Sequence, residues 1–306
     1  MFGKETAVRL ISLLAFLGMI AIAPSAALAA PVTAAQAISS DPAPDPKFPA
    51  RLEFIHVPSG GGELYGRVFV AAGAGPHPTF VLCHGLPGQE QNMDLAQAVR
   101  RAGWTVVTFN YRGSWGSPGA YRFAGDLADA NAVLAYIRQP ANAARLGIDP
   151  GRIAIGGHSL GGWVTAETAA HDDHLLGAAM ISAGDLGGAG LLAVKNRAAI
   201  VAFMNDSRDS LVDTDGDRMT DELTAHGQQW SLAAAAPLLK DKRLLVLYGD
   251  DFVTANSVDF IAAVKAAGGG ARLETGHVPT DHSWSDHRIA LEALVIDWLQ
   301  SLLAKG

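Results

Sequence analysis

The chain has 306 residues, 49% hydrophobic and 17% charged, which is ample apolar material for a sizeable folded core. A formal net charge of −7, with no basic run to oppose it, argues against nucleic acid or an anionic membrane as partner. The single cysteine, Cys83, excludes an intramolecular disulfide, and its apolar setting (Phe80-Val81-Leu82-Cys83) reads as a buried, inert thiol.

The first segment carries Lys4 and Arg9, an apolar run over 10–23 broken by Pro24, and the small-x-small sequence Ala27-Leu28-Ala29. This is the pattern of a secretory signal peptide over 1–29, too short for a stable membrane span. The expectation is export, to the periplasm or beyond, with no stable membrane insertion after cleavage. Residues 30–50 are rich in Ala, Pro and Asp and read as a disordered lead-in. About 255 residues remain, 51–306, enough for one large α/β domain.

Residues 51–57 and 63–70 alternate as strands joined by Ser59-Gly60-Gly61-Gly62, a hairpin at a sheet edge. Short apolar strands follow at 79–83, 105–109, 153–155, 177–182, 244–248 and 271–275. Helices are expected over 94–102, 126–138, from the residues after 159 to about 170, over 256–267 and over 287–303. Such alternation means βαβ units and a mostly parallel sheet with helices on both faces. Residues 184–242 break it with a helix-forming stretch, read as a helical cap inserted over the strand ends.

The chemistry concentrates in Gly157-His158-Ser159-Leu160-Gly161, set between a strand and a helix. Strand, G-x-S-x-G, helix is a nucleophile elbow: the sharp turn exposes the serine hydroxyl and leaves no room for side chains two residues away. A serine needs a base in reach and an acid to orient that base. After the strand 244–248 come Gly249, Asp250 and Asp251. Asp251 is favoured as the acid because Asp-x-Val places the carboxylate in the loop, and Asp250 is the alternative. Between the last strand and last helix lie His277, His282 and His287. His282 is favoured as the base, His277 is its competitor, and His287 reads mainly as a helix N-terminal residue. The oxyanion requires two amides. Leu160 supplies one, and Leu86, in the loop His84-Gly85-Leu86-Pro87-Gly88, supplies the other. His84 itself reads as a structural hydrogen-bonder.

These residues, together with Asn110-Tyr111-Arg112-Gly113, Gly116, Ser117 and Asp281-His282-Ser283-Trp284, make the chain similar to the α/β-hydrolase fold serine hydrolases over residues 51–304. Small exported esterases and the dienelactone-hydrolase- or peptidase-like members are the nearest in kind. The resemblance implies an α/β-hydrolase fold with the cap near 184–242, and an acyl-enzyme route with catalytic Ser159, Asp251 and His282 and no cofactor. The segment from Asn110 is read as structural. Two departures stand out. The nucleophile is Ser rather than Cys, which points away from a true dienelactone hydrolase. The spacing from Gly249 to the acid is one residue shorter than usual, which keeps Asp250 open.

Asp213-Thr214-Asp215-Gly216-Asp217, with Asp221, resembles a calcium loop but has Arg218 where a glycine belongs and Thr224 where a glutamate belongs. It reads as a solvated acidic turn. His171 and His174 have metal spacing but close the helix after the elbow, and no metal is expected there. The expected function is hydrolysis of a carboxylic ester or related acyl bond of a small-molecule substrate. A peptidase of the same fold, an acyltransferase, and a non-catalytic binding protein with a relic triad are the alternatives.

Overall fold

The computed structural model describes residues 32–304, so the leader expected over 1–29 lies outside the described residues. Two antiparallel strands open the sheet, β1 (Arg51–Ser59) and β2 (Gly62–Val70). Their turn is Gly60-Gly61, both at positive φ, the backbone that a two-residue hairpin matched to strand twist requires. Six further strands follow: β3 (His77–Cys83), β4 (Thr105–Phe109), β5 (Ile148–His158), β6 (Leu175–Ile181), β7 (Leu244–Tyr248) and β8 (Leu273–His277). The spatial order is β1-β2-β4-β3-β5-β6-β7-β8. β2 runs antiparallel to both β1 and β4, and every later pairing is parallel.

The central parallel strands are apolar at successive positions because both faces of the sheet are covered there, whereas the edge strand β8 is largely exposed. Phe80, Val106, Ala154, Ala179 and Leu245 belong to one apolar cluster. Their chain neighbours Val81, Val107, Ile155, Met180 and Val246 belong to the other. The first cluster is closed by α1 (Ala34–Ser39), α2 (Met93–Arg101) and α11 (Arg288–Leu303). The second is closed by α3 (Phe123–Arg138), α4 (Pro140–Leu146), α5 (Leu160–Ala170) and α10 (Thr254–Ala266). It extends into the segment between β6 and β7, which forms α6 (Leu186–Lys195), α7 (Arg197–Asp206), α8 (Gly216–His226) and α9 (Leu232–Leu239) and no strand. Among the described residues no helix is long and apolar enough to cross a membrane.

The lead-in differs from expectation. Within 30–50, α1 is a capped helix: Thr33 Oγ1 accepts from Gln36 N and Gln36 Oε1 accepts from Thr33 N at 3.0 Å. Ala34 and Ala37 are buried with residues of α2 and α11, and the Arg101 guanidinium donates to the Ala37 carbonyl. Small residues at i and i+3 let a short helix lie flat on the neighbouring helices, which average composition does not reveal.

Candidate active site

β5 delivers the chain to Ser159 at the carboxyl ends of the parallel strands, and α5 leaves directly from Leu160. Ser159 sits at φ 57°, ψ −119°, a strained region for a side-chain-bearing residue. The surroundings hold it there. Its N–H donates to the Ile181 carbonyl at 2.9 Å, and its own carbonyl accepts from Gly162 and Gly184 at 3.0 Å. A Cβ at Gly157 would overlap the Gly161 backbone, and one at Gly161 would overlap the Cys83 carbonyl. The two motif glycines are steric requirements of the turn.

The loop after β3 runs against the serine, so that a Cβ added at Gly85 would lie 3.1 Å from Ser159 Cβ. Leu86 follows in this loop, and Leu160 opens α5. Neither amide donates to a backbone acceptor among the described residues, so both remain available to an oxyanion. His84, at the base of the loop, is buried and shares Nδ1 with the Gly85 carbonyl at 2.8 Å. Burial lowers its pKa to about 4, so it is neutral at physiological pH and serves the loop as a hydrogen-bonder.

His282, between β8 and α11, places Nδ1 2.9 Å from Asp251 Oδ2, and the Asp251 side chain is only 3% exposed. A carboxylate accepts, so Nδ1–H donates and Nε2 keeps its lone pair as a base. Burial raises the Asp251 carboxyl, but hydrogen bonds from His282, the Val253 amide and the Ser182 hydroxyl outweigh it and hold it below the usual carboxylate range. His158, the residue before the nucleophile, donates Nε2–H to the His282 carbonyl at 2.7 Å, and its ring lies 4.7 Å from that of His282. Burial first, and the charge of His282 second, bring His158 down to about 4. The elbow and the histidine loop are thereby joined. Among the described residues no hydrogen bond links Ser159 Oγ to His282.

The alternative acid and base also meet, but with each other. His277 Nε2 lies 2.7 Å from Asp250 Oδ1, with side chains 44% and 62% exposed. His287 occupies the N-cap position of α11 without a side-chain capping bond, and its Nδ1 lies 2.9 Å from Asp286 Oδ1. Asp251 and His282 thus form the pair beside the elbow, while Asp250 and His277 form a separate pair in solvent.

Sequence reasoning gave no role to three residues. Ser182, fully buried at φ 43°, accepts from Trp284 Nε1 at 3.2 Å, and its hydroxyl helps hold the Asp251 carboxyl low. His158 and Phe252 both touch the His282 ring. The first occupies the variable position of the elbow motif and the second separates Asp251 from Val253, positions where the sequence pattern admits any residue.

The calcium-like segment is engaged otherwise. Asp215 caps α8 by accepting from Arg218 N at 2.8 Å, and Asp217 and Asp221 both bind Arg197, at 3.0 and 2.6 Å. Glu222 accepts from the first amides of α3, Phe123 and Ala124. Among the described residues no group of three His, Cys, Asp or Glu side chains is placed to hold a metal. His171 is the C-cap of α5. Asn110 and Ser117 tie their own loop together, Asn110 Nδ2 donating to the Trp115 carbonyl and Ser117 Oγ to the Asn110 carbonyl, both at 2.9 Å. Burial pushes the Cys83 thiol up to about 12, so it is no nucleophile.

Comparison with known proteins places the fold. The sequence model of the alpha/beta hydrolase family matches residues 80–291. An uncharacterised protein of Mycobacterium tuberculosis is 32% identical over 115 residues, 37% of this chain and 39% of that protein, so the chain spans about two fifths of the curated relatives it matches. Among solved structures, an esterase of Pyrobaculum calidifontis aligns with a TM-score of 0.60 at 18% identity, covering 85% of this chain and 88% of that one. An acylaminoacyl peptidase of Pyrococcus horikoshii gives a TM-score of 0.60 at 18% identity over 82% of this chain, but only 41% of the peptidase. At these identities the likeness is one of fold.

Proposed function

The chain belongs to the alpha/beta hydrolase family, and from that premise we propose that it cleaves a carboxylic ester or related acyl bond through an acyl-enzyme on Ser159. The observation that carries the proposal is the Asp251–His282 pair, 2.9 Å apart and tied to the elbow through His158. Ser159 Oγ attacks the carbonyl carbon while His282 Nε2 takes its proton. The oxyanion forms against the Leu86 and Leu160 amides, each such donor contributing about 2.7–4 kcal/mol to the transition state. His282 returns the proton to the leaving oxygen, and the C–O bond breaks. Water, deprotonated by the same nitrogen, then releases the acid and restores Ser159. Asp251 keeps its charge throughout and fixes the His282 tautomer.

A fluorophosphonate probe, with the adduct mapped by mass spectrometry, and a panel of p-nitrophenyl esters test this directly. The adduct is expected on Ser159 with turnover of the esters, and Ser159→Ala is expected to lose at least about 10⁴-fold in kcat/KM while staying folded. An active Ser159→Ala enzyme would overturn the mechanism, and labelling without ester turnover would move the substrate to another acyl bond.

A further inference from the structure

Phe252 follows the acid Asp251 directly and is 69% exposed, yet its ring centroid lies 4.5 Å from that of His282 at a 43° tilt. Phe203, from α7 of the inserted helices, meets it edge-on at 6.3 Å and is itself 47% exposed. A single exposed aromatic is ordinary on a protein surface. Two in contact, one of them against the His282 imidazole, form an exposed apolar pair beside that ring. His282 therefore meets one buried ring, His158, and one open to solvent.

The proton route decides which half of the substrate this pair meets. His282 Nε2 must come within about 3 Å of the leaving oxygen to protonate it. The acyl half is held instead by its carbonyl at the Leu86 and Leu160 amides. A leaving alcohol of more than a few carbons that leaves His282 on its solvent-open side meets Phe252. We propose that Phe252 and Phe203 form a leaving-group subsite selecting esters of apolar alcohols, an inference that rests on the ester-hydrolase reading above.

The test is a series of acetate esters of linear alcohols from ethyl to hexyl, with kcat/KM measured for each. Every member forms the same acetyl-enzyme, and the alcohols are nearly equal in basicity, so the series reports the apolar contact alone. For the wild-type enzyme kcat/KM is expected to rise with each methylene, by up to about fourfold. Phe252→Ala should flatten that slope and Phe203→Ala should reduce it, whereas Phe252→Leu should keep most of it. A matched series of ethyl esters with lengthening acyl chains should keep its slope in all three variants. A flat wild-type alcohol series would overturn the subsite. So would a Phe252→Ala loss that is equal for ethyl and hexyl acetate, or one that tracks acyl length. If Ser159 takes the fluorophosphonate and ethyl acetate turns over, such a result removes only the subsite. If neither occurs, the ester-hydrolase reading has failed first.

Discussion

At the scale of single residues, the site turns on which of two neighbouring acids and which of two nearby histidines act. Asp251 is almost wholly enclosed and bonded by His282, whereas the Asp250–His277 pair lies in solvent, where such a pair contributes little. Asp251→Asn is therefore expected to lower kcat/KM by roughly 10⁴-fold, because an amide at that position favours the wrong His282 tautomer. His282→Ala should be as severe. Asp250→Asn and His277→Ala should each change it by less than about threefold. Steady-state kinetics on a p-nitrophenyl ester, with circular dichroism to verify folding, decides the matter: a dead His277→Ala beside an active His282→Ala would reverse the assignment. The elbow itself was legible because its constraint is local. Glycines two residues either side of Ser159 are forced by backbone contacts within a few ångströms, and the pattern is written in five consecutive letters. Ser182 was not legible. It acts on the Asp251 carboxyl from 69 residues away, and nothing around a serine at the end of a strand distinguishes it from any other.

At the scale of elements, the central strands were legible because each holds a short apolar run, and 105–109 and 244–248 fall on β4 and β7. The short helices were harder. α4 begins with Pro140 and ends at Gly147 in the left-handed region, both ordinary boundary signals, but seven residues hold too little periodicity to stand out. α1 was hidden in a composition that averages to disorder, although Thr33 and Gln36 spell its capping box. The junction of α5 and α6 carries a prediction of its own. Burial, and then the charge of Asp185, raise Glu167 to about 7, and its Oε1 has no partner among the described residues. Asp185 accepts from the Gly188 and Leu232 amides, at 3.0 and 3.2 Å, fastening the start of α6 to that of α9. In the native state Glu167 keeps its proton up to about pH 7, whereas the unfolded chain loses it near the ordinary glutamate value. Stability from this group therefore falls as pH rises through that interval and is lost above about 7. Glu167→Gln cannot ionise, so its advantage over wild type should be near zero at pH 4.5 and reach about 1–2 kcal/mol by pH 8. Urea unfolding of both proteins at the two pH values measures it. An advantage that does not change with pH would mean that Glu167 is ionised in the fold.

At the scale of the whole molecule, the question is whether the helices between β6 and β7 move as a unit or melt with the sheet. One apolar cluster runs without a break from Ile155 and Met180 in the strands, through Trp163 on α5, to Leu223 on α8 and Trp230 beyond it. Trp163 Nε1 donates to the Trp230 carbonyl at 2.9 Å, the two indoles meet at 5.2 Å, and the Gly187 amide donates to the same carbonyl at 3.1 Å. His226 stacks flat on the outer side of this arrangement, its ring 4.0 Å from that of Trp230. Separating these helices from the sheet would expose both tryptophans and orphan a buried indole N–H, so partial opening costs nearly as much as full unfolding. Urea unfolding is thus expected to be one transition, with far-UV dichroism and tryptophan fluorescence sharing a midpoint. Trp163→Ala should lower both midpoints together, by about 3–5 kcal/mol of stability, and Trp163→Phe by about 1 kcal/mol for the lost hydrogen bond. A fluorescence change that precedes loss of sheet signal would show the inserted helices to be a separately melting lid. Phe203 rides on α7 within this same body. If the unit is seated as tightly as its core implies, alcohol selectivity at Phe252 is set by fixed side chains, and its temperature dependence should be smooth up to the single unfolding transition.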